Sequence, residues 1–234
     1  MAVVAQVSMT DAFVRQAGSI TSQTVADAIA LAIQEKGYAI VEDSLPASLL
    51  QSLLAHFQSL EAEKFNRAGI GREGAFQVNG LVRTDEIHWL EGTHPATSAY
   101  FHWMEQLRIA LNRRLFLGLF DYECHYAWYP EGAFYKTHFD TFRFDPLRGS
   151  STRVISSVLY LNPSWQAGDG GELVIYHPDQ SGILETIAPL FGRLVLFLSV
   201  DFPHEVLPVN APRYSVTGWF RKNNSLADSI DPPR

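Results

Sequence analysis

His138 and Asp140 stand two residues apart in Tyr135-Lys136-Thr137-His138-Phe139-Asp140, just after a run of strand-forming aromatics. Strand side chains alternate faces, so residues i and i+2 point the same way. Both donors can therefore reach one point in space. His204 lies far along the chain, with Arg213 nine residues beyond it. Two imidazoles and one carboxylate that leave coordination positions open are the ligand set of a non-haem Fe(II) oxygenase. An arginine turned into an apolar barrel needs an anion, because an unpaired buried charge is very costly. A guanidinium grips a carboxylate through two parallel hydrogen bonds. Each piece also has a plainer explanation. A lone His-x-Asp pair, or a histidine after Phe202-Pro203, can simply sit on a surface, and Arg213 could be an exposed arginine paired with an acid. What joins them is their order: His-x-Asp, strands with a Gly-Gly turn, His, then Arg in the last strand.

These side chains need a scaffold. Thr24 is placed to cap a helix through Lys36, with Val25, Ile29, Ala32 and Ile33 as its apolar stripe and Gly37 as its stop. Tyr38 to Glu42 reads as a short strand. Pro46 opens a second helix, carrying Leu49, Leu50, Leu53, Leu54 and Phe57 on one side and expected to reach about Phe65. Residues 66–95 are punctuated by Gly69, Gly71, Gly74 and Gly80 and carry Arg67, Arg72 and Arg83, which predicts a mobile surface loop. Phe101, Met104, Leu107, Leu111 and Leu115 give helical spacing to a third helix over Ala96 to Leu117.

From Asp121 the pattern changes to eight short strands: Tyr122–Tyr129, Tyr135–Asp140, Arg153–Leu161, Glu172–Tyr176, Leu184–Ile187, Arg193–Leu198, Glu205–Leu207 and Tyr214–Arg221. Turn residues separate them, among them Pro130-Glu131-Gly132 and Gly168-Asp169-Gly170-Gly171. This predicts an α+β chain whose core is a jelly roll (double-stranded β-helix), with N-terminal supporting helices packed outside it. The organisation expected is a flexible arm over 1–20, one domain over 21–222, and a tail over 223–234. Within the domain, helical support spans 21–120 and the jelly-roll core 121–222.

Composition narrows the function. The 234 residues are 47% apolar and 18% charged, which is globular. A net charge of −7 without a basic block argues against a nucleic-acid partner. The lone cysteine, Cys124, cannot form an internal disulfide, which suits a reducing cytoplasm. Met1 to Ile20 makes a poor signal peptide, and no apolar run approaches the ~18 residues of a membrane helix, so no membrane partner is expected.

Taken together, the motifs resemble the Fe(II)/2-oxoglutarate-dependent dioxygenases, and within them the EGL-9-like (hypoxia-sensing type) prolyl 4-hydroxylases and their bacterial relatives. The pieces are Tyr129-Pro130, Tyr135-x-x-His138-x-Asp140, Arg153, Leu159-Tyr160-Leu161-Asn162, Gly170-Gly171-Glu172-Leu173, His204-Glu205-Val206 and Arg213-Tyr214-Ser215-Val216-Thr217-Gly218-Trp219. The resemblance covers about residues 121–222. It implies Fe(II) held by His138, Asp140 and His204. It implies 2-oxoglutarate with its distal carboxylate on Arg213, Tyr160 as second donor and Tyr129 lining the pocket. O2 is consumed, succinate and CO2 leave, and ascorbate is a candidate reductant. Arg153 and Trp219 are expected near the substrate entrance, and the loop containing Arg83 is expected to fold over a bound peptide. Without the resemblance, Tyr160 and Trp219 read as core aromatics.

The implied substrate is a protein with a target proline, a translation factor of the elongation-factor Tu type being one candidate. The segment 141–152, between the metal strand and Arg153, departs from the family pattern. Two alternatives stand beside this reading: the same iron chemistry on a free amino acid or other small molecule, and a non-catalytic metal-binding module. A small-molecule enzyme tends to bury its substrate, whereas a peptide enzyme needs an open groove under residues 66–95.

Overall fold

The computed structural model describes residues 22–68, 80–141 and 152–223. The expected arm, the expected tail beyond Asn223 and nearly all of the 141–152 segment lie outside them. Three helices, α1 (Ser22–Lys36), α2 (Ala47–Ser59) and α3 (Pro95–Leu115), are accompanied by eleven strands among the described residues. These are β1 (Tyr38–Val41), β2 (Asn66–Arg67), β3 (Glu86–Trp89), β4 (Leu119–Tyr129), β5 (Tyr135–His138), β6 (Arg153–Tyr160), β7 (Leu173–Tyr176), β8 (Ile183–Ile187), β9 (Leu194–Leu198), β10 (His204–Val206) and β11 (Arg213–Lys222).

They form a seven-stranded sheet in the order β1-β9-β6-β11-β4-β3-β2 and a four-stranded sheet in the order β5-β10-β7-β8. Each pairing within them is antiparallel. This is the jelly-roll core that the strand spacing predicts.

Alternation along β4 and β11 explains how one sheet serves two environments. Tyr122, Cys124 and Tyr126, with Val216 and Phe220, face the helices and pack with Ile29, Leu53, Tyr100, Met104, Leu107 and Leu111. Ala127 and Tyr129 belong to a second apolar cluster with Tyr160, Val195 and Phe197, joined by Leu173, Ile175 and Val206 from the smaller sheet. Between positions of the first set lie buried polar residues: Asp121, Glu123 and His125 on β4, and Arg213, Ser215 and Arg221 on β11. Period-2 alternation therefore puts the helices on one face and the chemistry on the other. Among the described residues, no helix is long and apolar enough to cross a membrane.

Two expectations are corrected. The second helix ends at Ser59 instead of Phe65: Leu60 is extended, and its N–H bonds the Phe57 carbonyl. The apolar stripe ends there because Glu61 occupies the position one turn beyond Phe57. Nor are residues 66–95 all loop. β2 and β3 extend the edge of the large sheet, with β3 paired to β4 from Glu86↔Trp128 to Trp89↔His125. Ile87 packs on the inner cluster, and that contact, not local composition, fixes the strand. Residues 69–79 lie outside the described set.

At one end of the inner face Arg221 is almost sealed from water. Its Nε and Nη2 lie 2.9 and 2.6 Å from the two carboxylate oxygens of Asp121. Removing one partner of a buried pair leaves an uncompensated charge. Asp121→Ala should lower stability by about 3 kcal/mol, the low end of the usual range, because Glu123 stays 3.9 Å from Arg221. Urea unfolding measures this, and a loss below about 1 kcal/mol would contradict the assignment.

Candidate metal and dicarboxylate site

Strands β5 and β10 set His138 and His204 directly opposite each other in register. Their ring centroids are 4.3 Å apart. The Nδ1 of His138 is 2.8 Å from the Lys136 carbonyl, and that of His204 is 3.1 Å from the Phe202 carbonyl. A carbonyl only accepts, so each Nδ1 carries the proton and each Nε2 keeps its lone pair. Asp140, just past the end of β5, completes the group. Its Oδ1 is 3.8 Å from His138 Nε2 and its Oδ2 is 3.6 Å from His204 Nε2. These spacings are too long for hydrogen bonds, and they suit one cation seated between the donors at about 2.0–2.2 Å from each. The three donor atoms lie within 4.8 Å of one another.

Asp140 is anchored to the opposite sheet. Its Oδ2 accepts a 2.6 Å bond from the Ser156 hydroxyl on β6, which in turn meets Ser199 at 2.9 Å. Burial works to raise the Asp140 pKa, but His204, His138, Arg153 and the Ser156 bond outweigh it and hold the carboxyl well below the ordinary range. Burial, then the neighbouring His204, pushes the His138 imidazole down to about 3. An anionic Asp140 oxygen and a neutral His138 nitrogen therefore stand beside His204 Nε2, a donor set that suits a divalent metal.

Arg213 opens β11 and is 3% exposed, yet no carboxylate stands against it among the described residues. Its Nε donates 2.9 Å to the Gly171 carbonyl and its Nη1 3.2 Å to Ser215 Oγ. Its guanidinium carbon sits 4.7 Å from the Tyr129 ring centroid and 5.0 Å from that of Tyr160. The Tyr160 hydroxyl is buried without a hydrogen-bond partner. A buried cation beside an unsatisfied hydroxyl is a cradle for a carboxylate. The Gly-Gly turn makes room for it. Gly171 has φ +74°, and a Cβ there would lie 2.6 Å from Val209 Cγ1 and 2.9 Å from Arg213 Cδ.

The remaining residues singled out in the sequence are also located. Arg153 lies with its guanidinium carbon 3.4 Å from the Trp219 ring centroid and donates 3.0 Å to Glu123. Trp219 is 6% exposed. Arg83 forks onto Asp85 at 2.7 and 2.6 Å and overlies the Tyr135 ring at 4.2 Å. Sequence reasoning missed Ser156, Asp85 and His125. His125 sits between Trp89 and Trp219, at ring distances of 5.2 and 5.5 Å. The signal for it was present: along β4, Asp121, Glu123 and His125 occupy every second position.

Known proteins resemble this chain in sequence and in fold. The sequence profile of the 2OG-Fe(II) oxygenase superfamily matches residues 124–221. A prolyl-4-hydroxylase from Pseudomonas putida is 39% identical with a TM-score of 0.73, over 85% of this chain and 98% of that one. A prolyl hydroxylase from Trichoplax adhaerens, solved with a hypoxia inducible factor oxygen degradation domain peptide fragment, is 26% identical with a TM-score of 0.71, over 86% of this chain and 90% of that one. Egl nine homolog 1 of Mus musculus is 31% identical over 147 residues, which is 59% of this chain and 35% of the relative. The match thus spans about a third of that curated relative's length.

Two outcomes follow from the site. Gly171→Ala should displace Arg213 and weaken dicarboxylate binding about tenfold by calorimetry, the size of one lost charged hydrogen bond; unchanged affinity would mean the guanidinium is not the anchor. Burial, then the Arg83 charge, pushes His125 down from 6.5 to about 4. Between those values the unfolded chain binds a proton that the folded chain refuses. Stability is therefore complete above pH 6.5 and is lost as pH falls toward 4. His125→Phe should flatten that dependence by up to about 1.4 kcal/mol per pH unit in paired urea titrations; parallel curves would place the effect elsewhere.

Proposed function

The chain belongs to the prolyl hydroxylase branch of the 2OG-Fe(II) oxygenase superfamily, and from that premise we propose that it hydroxylates a prolyl residue in a protein substrate. His138, Asp140 and His204 hold Fe(II). Arg213 holds the distal carboxylate of 2-oxoglutarate, with the Tyr160 hydroxyl as second donor and Tyr129 as a wall of the pocket. With O2, oxidative decarboxylation of 2-oxoglutarate to succinate and CO2 at the iron supplies the oxidant that hydroxylates the substrate. The protein's own part is to position and to exclude water.

The observation that carries this reading is Arg213: a buried guanidinium with no carboxylate of its own among the described residues, on a scaffold that also gathers three metal donors. A cavity shaped for a structural ion pair would contain the acid. This one lacks it and has a spare hydroxyl instead.

Arg153 and Trp219 form a cation–aromatic pair beside Asp140, whose charge Arg153 feels, so they edge the place where substrate meets the metal. A groove of about 420 Å³, lined by Glu63, Lys64, Asn66, Arg67, Ile87, His88 and Trp89, runs along the β2–β3 edge. None of its lining residues belongs to the metal or 2-oxoglutarate set, so a protein substrate is favoured here by the likeness to prolyl hydroxylases, one of them solved with a peptide. A translation factor of the elongation-factor Tu type is the candidate target, and the cytoplasm the candidate setting.

The wild-type protein with Fe(II) and 2-oxoglutarate should release succinate and add 16 Da to prolines of a lysate, read by mass spectrometry. His138→Ala should abolish both. Arg213→Ala should raise the KM for 2-oxoglutarate about 100-fold, as expected when one partner of a buried charge pair is removed. Substrate-dependent succinate formation persisting in His138→Ala would refute the metal assignment, and modified free amino acids without modified protein would favour the small-molecule alternative.

A further inference from the structure

We propose that Arg83 and Asp85 are positioning residues that act through the Tyr135 ring to hold His138, and so set how tightly the triad binds a divalent metal. This rests on the triad being a metal site, as argued above.

Strand β5 lies at the edge of the smaller sheet, so the ligand it carries has only β10 on one side. The other side is closed by an unlabelled stretch of chain. Lys136 N–H donates 2.9 Å to the Val82 carbonyl, Thr84 N–H donates 3.1 Å to the Phe134 carbonyl, and Arg83 bridges Tyr135 in antiparallel sense. Immediately afterwards the chain enters β3 and pairs with β4 of the large sheet. Residues 82–89 therefore tie the ligand strand of one sheet to the other sheet. Asp85, at the crossing point, is 1% exposed, and its carbonyl accepts from Ala68 N–H at 3.0 Å.

The side chains continue the connection. Both oxygens of Asp85 fix the plane of the Arg83 guanidinium. That guanidinium lies 4.2 Å from the Tyr135 centroid, and the His138 imidazole is stacked on Tyr135 at 3.5 Å and 15°. Two groups that close to one centroid cannot share a face, so Tyr135 is sandwiched between the cation and the ligand. The hydrogen bond from Nδ1 to Lys136 fixes one edge of the imidazole, and the stack fixes its plane. Groups that orient a metal-bound imidazole typically carry 10- to 100-fold in metal affinity. Arg83 is thus turned toward the metal ligand.

The test is Mn(II) binding to the full chain, followed by the EPR signal of free Mn(II), with the absorption of the Co(II)-loaded protein as a second readout. Tyr135→Leu and Arg83→Gln should each weaken Mn(II) binding about 10- to 100-fold and shift the Co(II) ligand-field bands. Tyr135→Phe keeps the ring and should stay within about threefold of wild type. If Arg83→Gln fails to fold because Asp85 is left unpaired, the charge-neutral double variant Arg83→Met with Asp85→Asn should show the same loss. Folded variants with Mn(II) affinity within about threefold of wild type and unchanged Co(II) spectra would overturn the proposal. A wild-type protein that binds no Mn(II), or a His138→Ala variant that binds it normally, would overturn the metal reading itself, and this inference with it.

Discussion

Everything in the structure depends on His138 and His204 facing each other across β5 and β10. Two imidazoles 4.3 Å apart cannot both be charged without repulsion, and burial disfavours charge on His138. The arrangement is stable when both are neutral and their free nitrogens share a cation with Asp140. A slip of one residue in the pairing of either strand would send its ring to the opposite face. Asp140 is fastened by Ser156 to the other sheet, so the triad also depends on the two sheets being held face to face.

That demand explains the rest of the architecture. The large sheet presents apolar residues to the helices on one face and keeps its polar residues for the other. Along the inner face the chemistry changes with position. At one end Tyr129 and Tyr160 flank the Arg213 guanidinium, which has no acid against it among the described residues. At the other end Arg221 is neutralised by Asp121, and Arg153 by Glu123. The same residue type is thus a structural ion pair at one end and the proposed anion receptor at the other, and the difference is whether an acid stands beside it.

Much of this was readable in the sequence because it rests on local pattern. The strands from β4 to β11 are short alternating runs between turn residues, and each is present within a residue or two of its expected ends, except that β4 starts three residues early, at Leu119. Strand period suggests that His138 and Asp140 can meet, although Asp140 lies just past the end of β5 and is aimed by the hydrogen bond from Ser156. β3 was not readable: Glu86-Ile87-His88-Trp89 is only four residues long, stands in glycine-rich surroundings, and is fixed by pairing to β4. The end of α2 failed for a similar reason, since Leu60 and Phe65 look helical until their tertiary contacts are known. The surroundings of Arg83 were not readable either. Its partners Asp85 and Tyr135 are close in space, but Tyr135 is distant in sequence and the burial of Asp85 has no local signature. Charge and glycine content suggested a loop residue for substrate; the fold adds a fork onto Asp85 and a seat over the Tyr135 ring.

The most direct measurement is anomalous diffraction from crystals of the full chain grown with Mn(II). The account predicts one strong peak bounded by His138 Nε2, an Asp140 carboxylate oxygen and His204 Nε2, each at roughly 2.0–2.3 Å as for divalent metals on nitrogen and oxygen ligands. A peak away from these three atoms, or no peak with His204 turned out of the cluster, would contradict it.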